Sequence, residues 1–402
     1  MKSNVLILPA SEWVVPLIQK AKAMGHIVFV VNPDENSPGF KYADNHLLSD
    51  IFDYDKVIQY AKDNNINAII SDECDIAMPA IAKYGKQLGL PALTEETAIV
   101  FQDKFAMRDY SKKHGIKYPE YKLCTKAEEA IELLESIKKP LIIKPLDNCS
   151  SRGVFKVSTP EEIREHFDET LSFSHFHKAV LAERFINGKE FTIDTVKTPS
   201  KNYTLAISEK GHFKHNLNIA DELLFSHYNP DYDYDKLRST NDKYIMQSGL
   251  QFGFTHAEYK YEDGDFYLIE IGARGGGNMI SSCITQYMSG YDTYRYLIEC
   301  ATGNIHDEDF SIRPDYKDRA SVLKFFSTPN GGGKVTAIEG LDYLENERDI
   351  AHYRFNFKVG DTIQDALNDA ARIGFYIATC ENMARLRQVM SDVENNVKII
   401  IE

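Results

Sequence analysis

Residues 266–282, FYLIEIGARGGGNMISS, place a carboxylate (Glu270), an arginine (Arg274) and a run of glycines in one short stretch. A second carboxylate, Glu258, lies upstream in GFTHAEYKYEDGD. A hairpin looping through Asp263-Gly264-Asp265, a common three-residue form, sets Glu262 against Phe266. Continuing the ladder brings Glu258 opposite Glu270. His256, Glu258, Lys260, Glu270 and Arg274 then share one face; Ala257, Tyr259, Tyr267, Ile269, Ile271 and Ala273 share the other. A slip of one residue would mix the two sets. Carboxylates facing each other repel, by some tenths of a kcal/mol up to roughly 1. A divalent cation turns that cost into attraction, and Mg²⁺ is commonly held by one or two carboxylates together with substrate phosphates. Glu258 and Glu270 are thus a candidate pair for Mg²⁺ (or Mn²⁺), with Arg274 where negative charge would gather. An exposed hairpin with plain charge pairs is the alternative.

Cations stand elsewhere in the chain. QDKFAMRDYSKKHGIKYPEY reads as a helix carrying Lys104 and Arg108 and ending near Gly115. In KPLIIKPLDNCSSRGVFKV, Lys144 closes an apolar strand in front of a loop of Ser, Asn and Gly. Such a loop can turn backbone N–H groups onto phosphate oxygens, while lysines meet the same oxygens as point charges. AVLAERFINGKEFTIDTV reads as two strands around Glu183-Arg184-Phe185-Ile186-Asn187-Gly188. That hinge offers donors and acceptors for an adenine edge, and Glu190 could accept from ribose hydroxyls. The second strand alternates, with Glu190, Thr192 and Asp194 opposite Phe191, Ile193 and Thr195.

These groups need a frame. In the first hundred residues, apolar runs such as NVLILPA, HIVFVVNP and NAIISD alternate with helical periods. That pattern predicts a parallel sheet covered on both faces. Ligands of such sheets bind beyond the carboxyl ends of the strands, which points to Ser11-Glu12, Asn32-Pro33 and Asp72-Glu73. Ordinary turn and cap roles explain the same residues. The first βα turn, LPASEW, has no GxGxxG, so a dinucleotide site is not expected there. NGGGKVT at 330–336 imitates a phosphate loop but lacks its first glycine and its Ser/Thr, and is read as a glycine-rich hairpin turn.

A chain of 402 residues predicts two or three domains. With 43% hydrophobic and 26% charged residues it can fill a core, and no run is long enough to span a membrane. The N-terminal apolar run, cut off by Ser11-Glu12, reads as a strand rather than a secretory signal. A net charge of −14 argues against nucleic acid or an anionic membrane as partner. Six scattered cysteines without a CxxC pair suit reduced thiols and a cytoplasmic location. HFH at 175–177 is read as a solvated loop. The tyrosine- and aspartate-rich stretch 226–239 is either a loop near an acceptor pocket or a solvated one.

In this order, DK at 103–104, IIKP at 142–145, ERFINGKE at 183–190 and HAE…EIGARGGG at 256–277 resemble an ATP-grasp enzyme of the carboxylate–amine ligase type. Phosphoribosylglycinamide synthetase and carbamoyl phosphate synthase are of this kind. The resemblance covers about residues 3–310 and, less specifically, the C-terminal part. It implies a mixed α/β and α+β fold. Residues 1–95 would form a doubly wound parallel-sheet pre-ATP-grasp domain. Residues 96–310 would form the ATP-grasp domain with two antiparallel sheets and a lid subdomain at about 115–183, and 311–402 a small β-rich α+β domain. By the resemblance, Lys104 and Lys144 hold ATP phosphates, and Ser150, Ser151 and Gly153 close over them in a lid loop at 147–153. Glu183 and the Phe185 backbone meet adenine, and Glu190 binds ribose. Glu258 and Glu270 bind the metal, and Arg274 stabilises the phosphoryl group or acyl intermediate. The family's usual Asn two residues after the second metal Glu is Gly272 here, so weaker metal binding is expected, with water or Asn278 completing the set. The implied reaction joins a small carboxylic acid to an amine through an acyl phosphate, releasing ADP and phosphate, in a homodimer by analogy. A purine-pathway phosphoribosylamine–glycine ligase is the alternative, although LPASEW lacks that enzyme's glycine-rich turn and His-Ala pair. Biotin-carboxylase-like carboxylation and a non-catalytic nucleotide-binding module are further alternatives. The retained glutamates, lysines and Arg274 speak against the last.

Overall fold

The computed structural model of the chain describes residues 2–146, 152–174 and 178–402, so Ser150, Ser151 and the 175–177 stretch lie outside the described residues. The N-terminal part is a parallel sheet ordered Asn45–Leu48, Ile27–Asn32, Asn4–Ile7, Ala68–Ile70. Its strands are apolar without alternation because both faces are covered. Val5 and Ile7 pack with Leu17, Ala21 and Leu297, and Leu6 and Leu8 pack with Val57, Ala61 and Ile81 on the opposite face.

A four-stranded antiparallel sheet, ordered Tyr121–Cys124, Val180–Arg184, Leu141–Pro145, Phe155–Val157, carries the helices Ala127–Ile137 and Pro160–Ser172 on one face. Its other face looks onto the central sheet. That sheet runs Asp265–Gly272, Gly253–Glu262, Glu190–Lys197, Asn202–Phe213, Asn216–Ser226, Ala320–Phe325, Gly374–Cys380, Ile350–Phe355. Three strands from beyond residue 311 therefore extend the central sheet instead of forming a sheet of their own. Only Gly332–Glu339, Thr362–Gln364 and Lys398–Ile401 form a separate small sheet. The glycine run at 330–336, expected as a hairpin turn, opens a strand of this sheet. A side chain at Gly332 would collide with the Ile363 carbonyl of the neighbouring strand.

The hairpin at 253–272 departs from the expected loop. Glu262 pairs with Asp265, leaving a two-residue turn of Asp263 (φ 50°) and Gly264 (φ 83°), both left-handed as a type I′ turn requires. Further along, Tyr259 pairs with Leu268 but Glu258 with Glu270, so Ile269 is an extra residue in a β-bulge. The shorter loop and the bulge cancel, and the two glutamates stand opposite each other as expected. The faces differ between them. Phe266, Leu268 and Ile271 are the core residues, packed against the helix Tyr234–Gln247, whereas Tyr267 pairs with Lys260 off the core face and Ile269 lines the cleft. Valine at Gly264 meets open space but must adopt φ near +83°, so Gly264→Val should lower unfolding free energy by roughly 1–2 kcal/mol at unchanged m-value in a urea titration.

Candidate active site

The cleft between the antiparallel sheets collects charged side chains from sequence-distant elements. Asp103 caps the helix Lys104–Lys113, accepting from the Ala106 N–H at 2.7 Å, and so holds Lys104 at the helix start, facing the central sheet. One turn on, Arg108 is fully buried. Its Nε donates to Glu183 Oε2 at 2.9 Å, and its Nη2 to the carbonyl of Ile269, the bulge residue, at 2.7 Å. Lys144 Nζ lies 2.5 Å from the other Glu183 oxygen. Burial alone would raise the Glu183 pKa, but the charges of Arg108 and Lys144 hold it below the usual carboxylate range. Burial pushes Lys144 down to about 8 against the opposing pull of Glu183. Glu183, expected at adenine, therefore has both oxygens committed to cations.

Across the cleft, Lys104 Nζ lies 2.9 Å from Glu270 Oε1, and Lys210 Nζ lies 3.1 Å from Glu258 Oε1 and 2.5 Å from Glu190 Oε1. His212 Nε2 approaches Glu190 at 3.4 Å. Burial tends to raise the Glu190 pKa, and Lys210 more than reverses that, leaving Glu190 strongly depressed. Arg274 grips Asp75 with two contacts, Nε to Oδ1 at 2.9 Å and Nη2 to Oδ2 at 2.5 Å. Gly272 now has a structural reason. A Cβ there would sit 2.6 Å from Asp75 Oδ1, so a carboxylate from the N-terminal part fills the space an Asn side chain would need. Two facing carboxylates such as Glu258 and Glu270 are the donor type Mg²⁺ takes together with substrate phosphates.

Lys104, Lys144, Glu183, Phe185, Glu190, Glu258, Glu270 and Arg274 thus all line one cleft. Gly153 does not. It abuts the Phe173 ring, where a Cβ would come within 2.5 Å of Cδ2. The Phe185 N–H donates to the Pro140 carbonyl at 2.8 Å, which leaves the carbonyl and ring of Phe185 for a ligand. That ring lies under the ammonium groups of Lys156 and Lys260, at 4.0 and 4.8 Å from its centroid. Sequence reasoning did not single out Asp75, Lys210 or His212. For the last two a signal existed, since Ser208, Lys210 and His212 share one face of their strand. Asp75 gave none, because it meets Arg274 across 199 positions.

A second cavity opens from the cleft toward the C-terminal part. The two share Asp75, Lys210, Ala220, His256, Glu258, Arg274 and Asp369. Its walls include Trp13, whose ring centroid lies 6.3 Å from that of Phe375, and Arg354, paired with Glu12 at 2.5 Å. Of the residues expected beyond the parallel strands, Glu12 and Glu73 line this cavity, while Asp72 is fully buried. Asp72 accepts from the Gly275 N–H at 2.7 Å and from the hydroxyls of Ser281 and Tyr294 at 2.5 and 2.8 Å, which shapes the glycine loop. No residue of 226–239 lines either cavity.

Two antiparallel sheets closing on a lysine- and glutamate-lined cleft are the arrangement of the ATP-grasp fold. Residues 137–283 match the ATP-grasp domain family, and 325–402 match the L-amino acid ligase C-terminal domain 2. Dapdiamide A synthase of Enterobacter agglomerans is 21% identical over 315 residues, 75% of this chain and 72% of that one. Against further curated relatives the chain spans between 22% and 61% of their length. The L-amino acid ligase of Bacillus licheniformis superposes with a TM-score of 0.84 at 20% identity, covering 100% of this chain and 99% of that one. The phosphoribosylglycinamide synthetase of Anaerococcus prevotii does so with 0.75 at 21% identity, covering 100% of both. The chain carries an ATP-grasp domain and a stretch like the C-terminal domain of L-amino acid ligases, and its relatives indicate an enzyme of the class that forms C–N bonds. Among the described residues no helix is long and apolar enough to cross a membrane.

Glu183→Gln should destabilise the fold by about 3–5 kcal/mol, because Arg108 is then left buried without its counter-charge. The native pKa of Glu183 is depressed, so its contribution is complete above the unfolded value of about 4.3 and fades as pH falls through the native one. Chemical denaturation across that range should give a flatter acid limb for the variant than for the parent.

Proposed function

We propose that this enzyme joins two α-amino acids, phosphorylating the carboxylate of one with ATP and condensing the acyl phosphate with the amine of the other. The observation that carries this reading is the junction of the cavities. Arg274 lines both, and the outer one is walled in part by Phe375 and Arg354, within the stretch matched to the L-amino acid ligase domain. The likeness to dapdiamide A synthase supports it.

On this reading Lys104 and Lys144 meet the phosphates, the hinge at 184–188 receives adenine, and Glu190 takes the ribose. Glu258 and Glu270 hold Mg²⁺ or Mn²⁺, and the ion, when bound, neutralises phosphoryl charge. Arg274 faces the charge that builds on the transferred phosphoryl and on the acyl carbon's oxygen. Phosphoryl transfer of this kind is mainly a matter of holding reactants in line and cancelling charge, which lysines and arginines on rigid strands can do. A carboxylate oxygen takes the γ-phosphoryl and ADP leaves. The amine nitrogen then attacks the acyl carbon, and phosphate leaves.

The test is phosphate release from MgATP with an equimolar mixture of the twenty standard amino acids, with dipeptides identified by mass. Dipeptide formation is expected; turnover only with phosphoribosylamine plus glycine would replace this reading by the purine one. Glu270→Gln should abolish turnover while leaving adenine-nucleotide binding largely intact. Wild-type turnover in that variant would end the metal assignment.

A further inference from the structure

Amide formation from an acyl phosphate needs the amine as its free base, yet the α-amino group of a free amino acid is protonated at neutral pH. A group that takes this proton must line the acceptor cavity, carry a negative charge and be free of a permanent cationic partner. The second cavity has five carboxylates among the described residues: Glu12, Glu73, Asp75, Glu258 and Asp369. Four of them are held by cations. Glu12 pairs with Arg354, Asp75 with Arg274, Glu258 with Lys210 and Asp369 with Arg372. Among the described residues, Glu73 is the one with no ion pair. Its oxygens accept from neutral groups, the Met279 N–H at 3.1 Å, the Ser282 hydroxyl at 3.2 Å and the Ser282 backbone N–H.

The position of Glu73 is also unusual. Its backbone is left-handed (φ 53°), a strained conformation for a residue with a side chain, and such strain persists where surrounding structure imposes it. Here the imposing contacts lie on both sides, because Asp72 is locked to the glycine loop and Asp75 to Arg274. Glu73 is thereby presented to the acceptor cavity two residues from the arginine clamp that lies on the cleft boundary.

We propose that Glu73 is the base of the second half-reaction: in the acceptor cavity its carboxylate receives the proton of the substrate ammonium as the amine attacks the acyl phosphate held near Arg274. This inference rests on the ligase reading above. The step balances. The ammonium gives one proton to Glu73, which frees the nitrogen lone pair to form the C–N bond. The C–O bond to phosphate breaks with its electron pair leaving on phosphate, and the second proton lost by nitrogen leaves with that phosphate. The neighbourhood favours proton uptake. Burial, then the charge of Asp72, raises the Glu73 pKa well above the usual carboxylate range. Asp72 accepts more hydrogen bonds and is the better stabilised anion of the two. The other titratable groups facing Glu73, Cys283 and Tyr294, are held neutral by burial, with the charge of Glu73 adding to the effect.

Hydroxylamine separates the two halves, because it is already unprotonated at neutral pH and needs no base. With MgATP and the amino-acid mixture, Glu73→Gln should form hydroxamates at close to the parental rate. Dipeptide formation should fall by about 10²–10⁴-fold, the range for loss of general base catalysis. The deficit should shrink as pH rises past the amine pKa, and Glu73→Asp should recover part of the dipeptide rate at neutral pH. Equal losses of hydroxamate and dipeptide would make Glu73 a structural residue and overturn the proposal. Undiminished dipeptide formation, or a deficit that does not change with pH, would overturn it too. If the parent enzyme forms no hydroxamate with any amino acid, the ligase reading fails and the base falls with it.

Discussion

A carboxylate buried between two cations ties the catalytic half of this molecule together. Glu183 sits on a strand of the smaller antiparallel sheet, Arg108 on a helix, and Lys144 on the neighbouring strand. Arg108 also donates to the carbonyl of Ile269, the bulge residue of the hairpin that carries Glu270. Burying any one of these charges alone would cost several kcal/mol, so each is tolerable only with the others in place. The orientation of one sheet over the other is thereby coupled to the hairpin bearing the candidate metal ligands. The bulge has the same cause, since it turns an otherwise ordinary strand carbonyl toward a guanidinium.

An acidic chain that is to hold a polyphosphate must gather its cations locally. Here Lys104, Lys144 and Lys210 line the cleft, and each leans on a carboxylate: Glu270, Glu183, and the pair Glu190 and Glu258. These ion pairs hold each cation against a counter-charge across the cleft. On the proposed reading, nucleotide binding is then an exchange of partners within a set of opposite charges already fixed in place. Little reorganisation is needed, which is the condition under which electrostatic stabilisation works best.

A single loop of the N-terminal part does three different things within four residues. Asp72 shapes the glycine loop, Glu73 faces the second cavity, and Asp75 clamps Arg274 and occupies the space beside Gly272. The parallel sheet is therefore part of the site as well as its support. Its strand end delivers carboxylates to a boundary that the central sheet alone could not complete.

Much of this was legible in local spacing. The apolar runs of the first hundred residues, the cleft face of the strand at 190–197 and the opposition of Glu258 to Glu270 follow from side-chain periods of a few residues, which any short peptide carries. The hairpin shows how far that reaches. Its faces were read from a regular ladder, and the glutamates came out opposite each other although the turn is one residue shorter and Ile269 is bulged. Strand alternation could not reveal a bulge drawn by Arg108 from a helix remote in sequence, and so Tyr267 and Ile269 were placed on the wrong face. Nor could it show that Glu183 is shared between cations, that the Phe185 N–H is taken by Pro140, or that the C-terminal strands continue the central sheet. From the sequence alone came the kinds of charge, their order along the chain and the face of the strand on which most of them lie. Which charge meets which, Asp75 with Arg274 above all, was decided only on folding, because such pairing depends on Coulombic fit between elements that no local period connects.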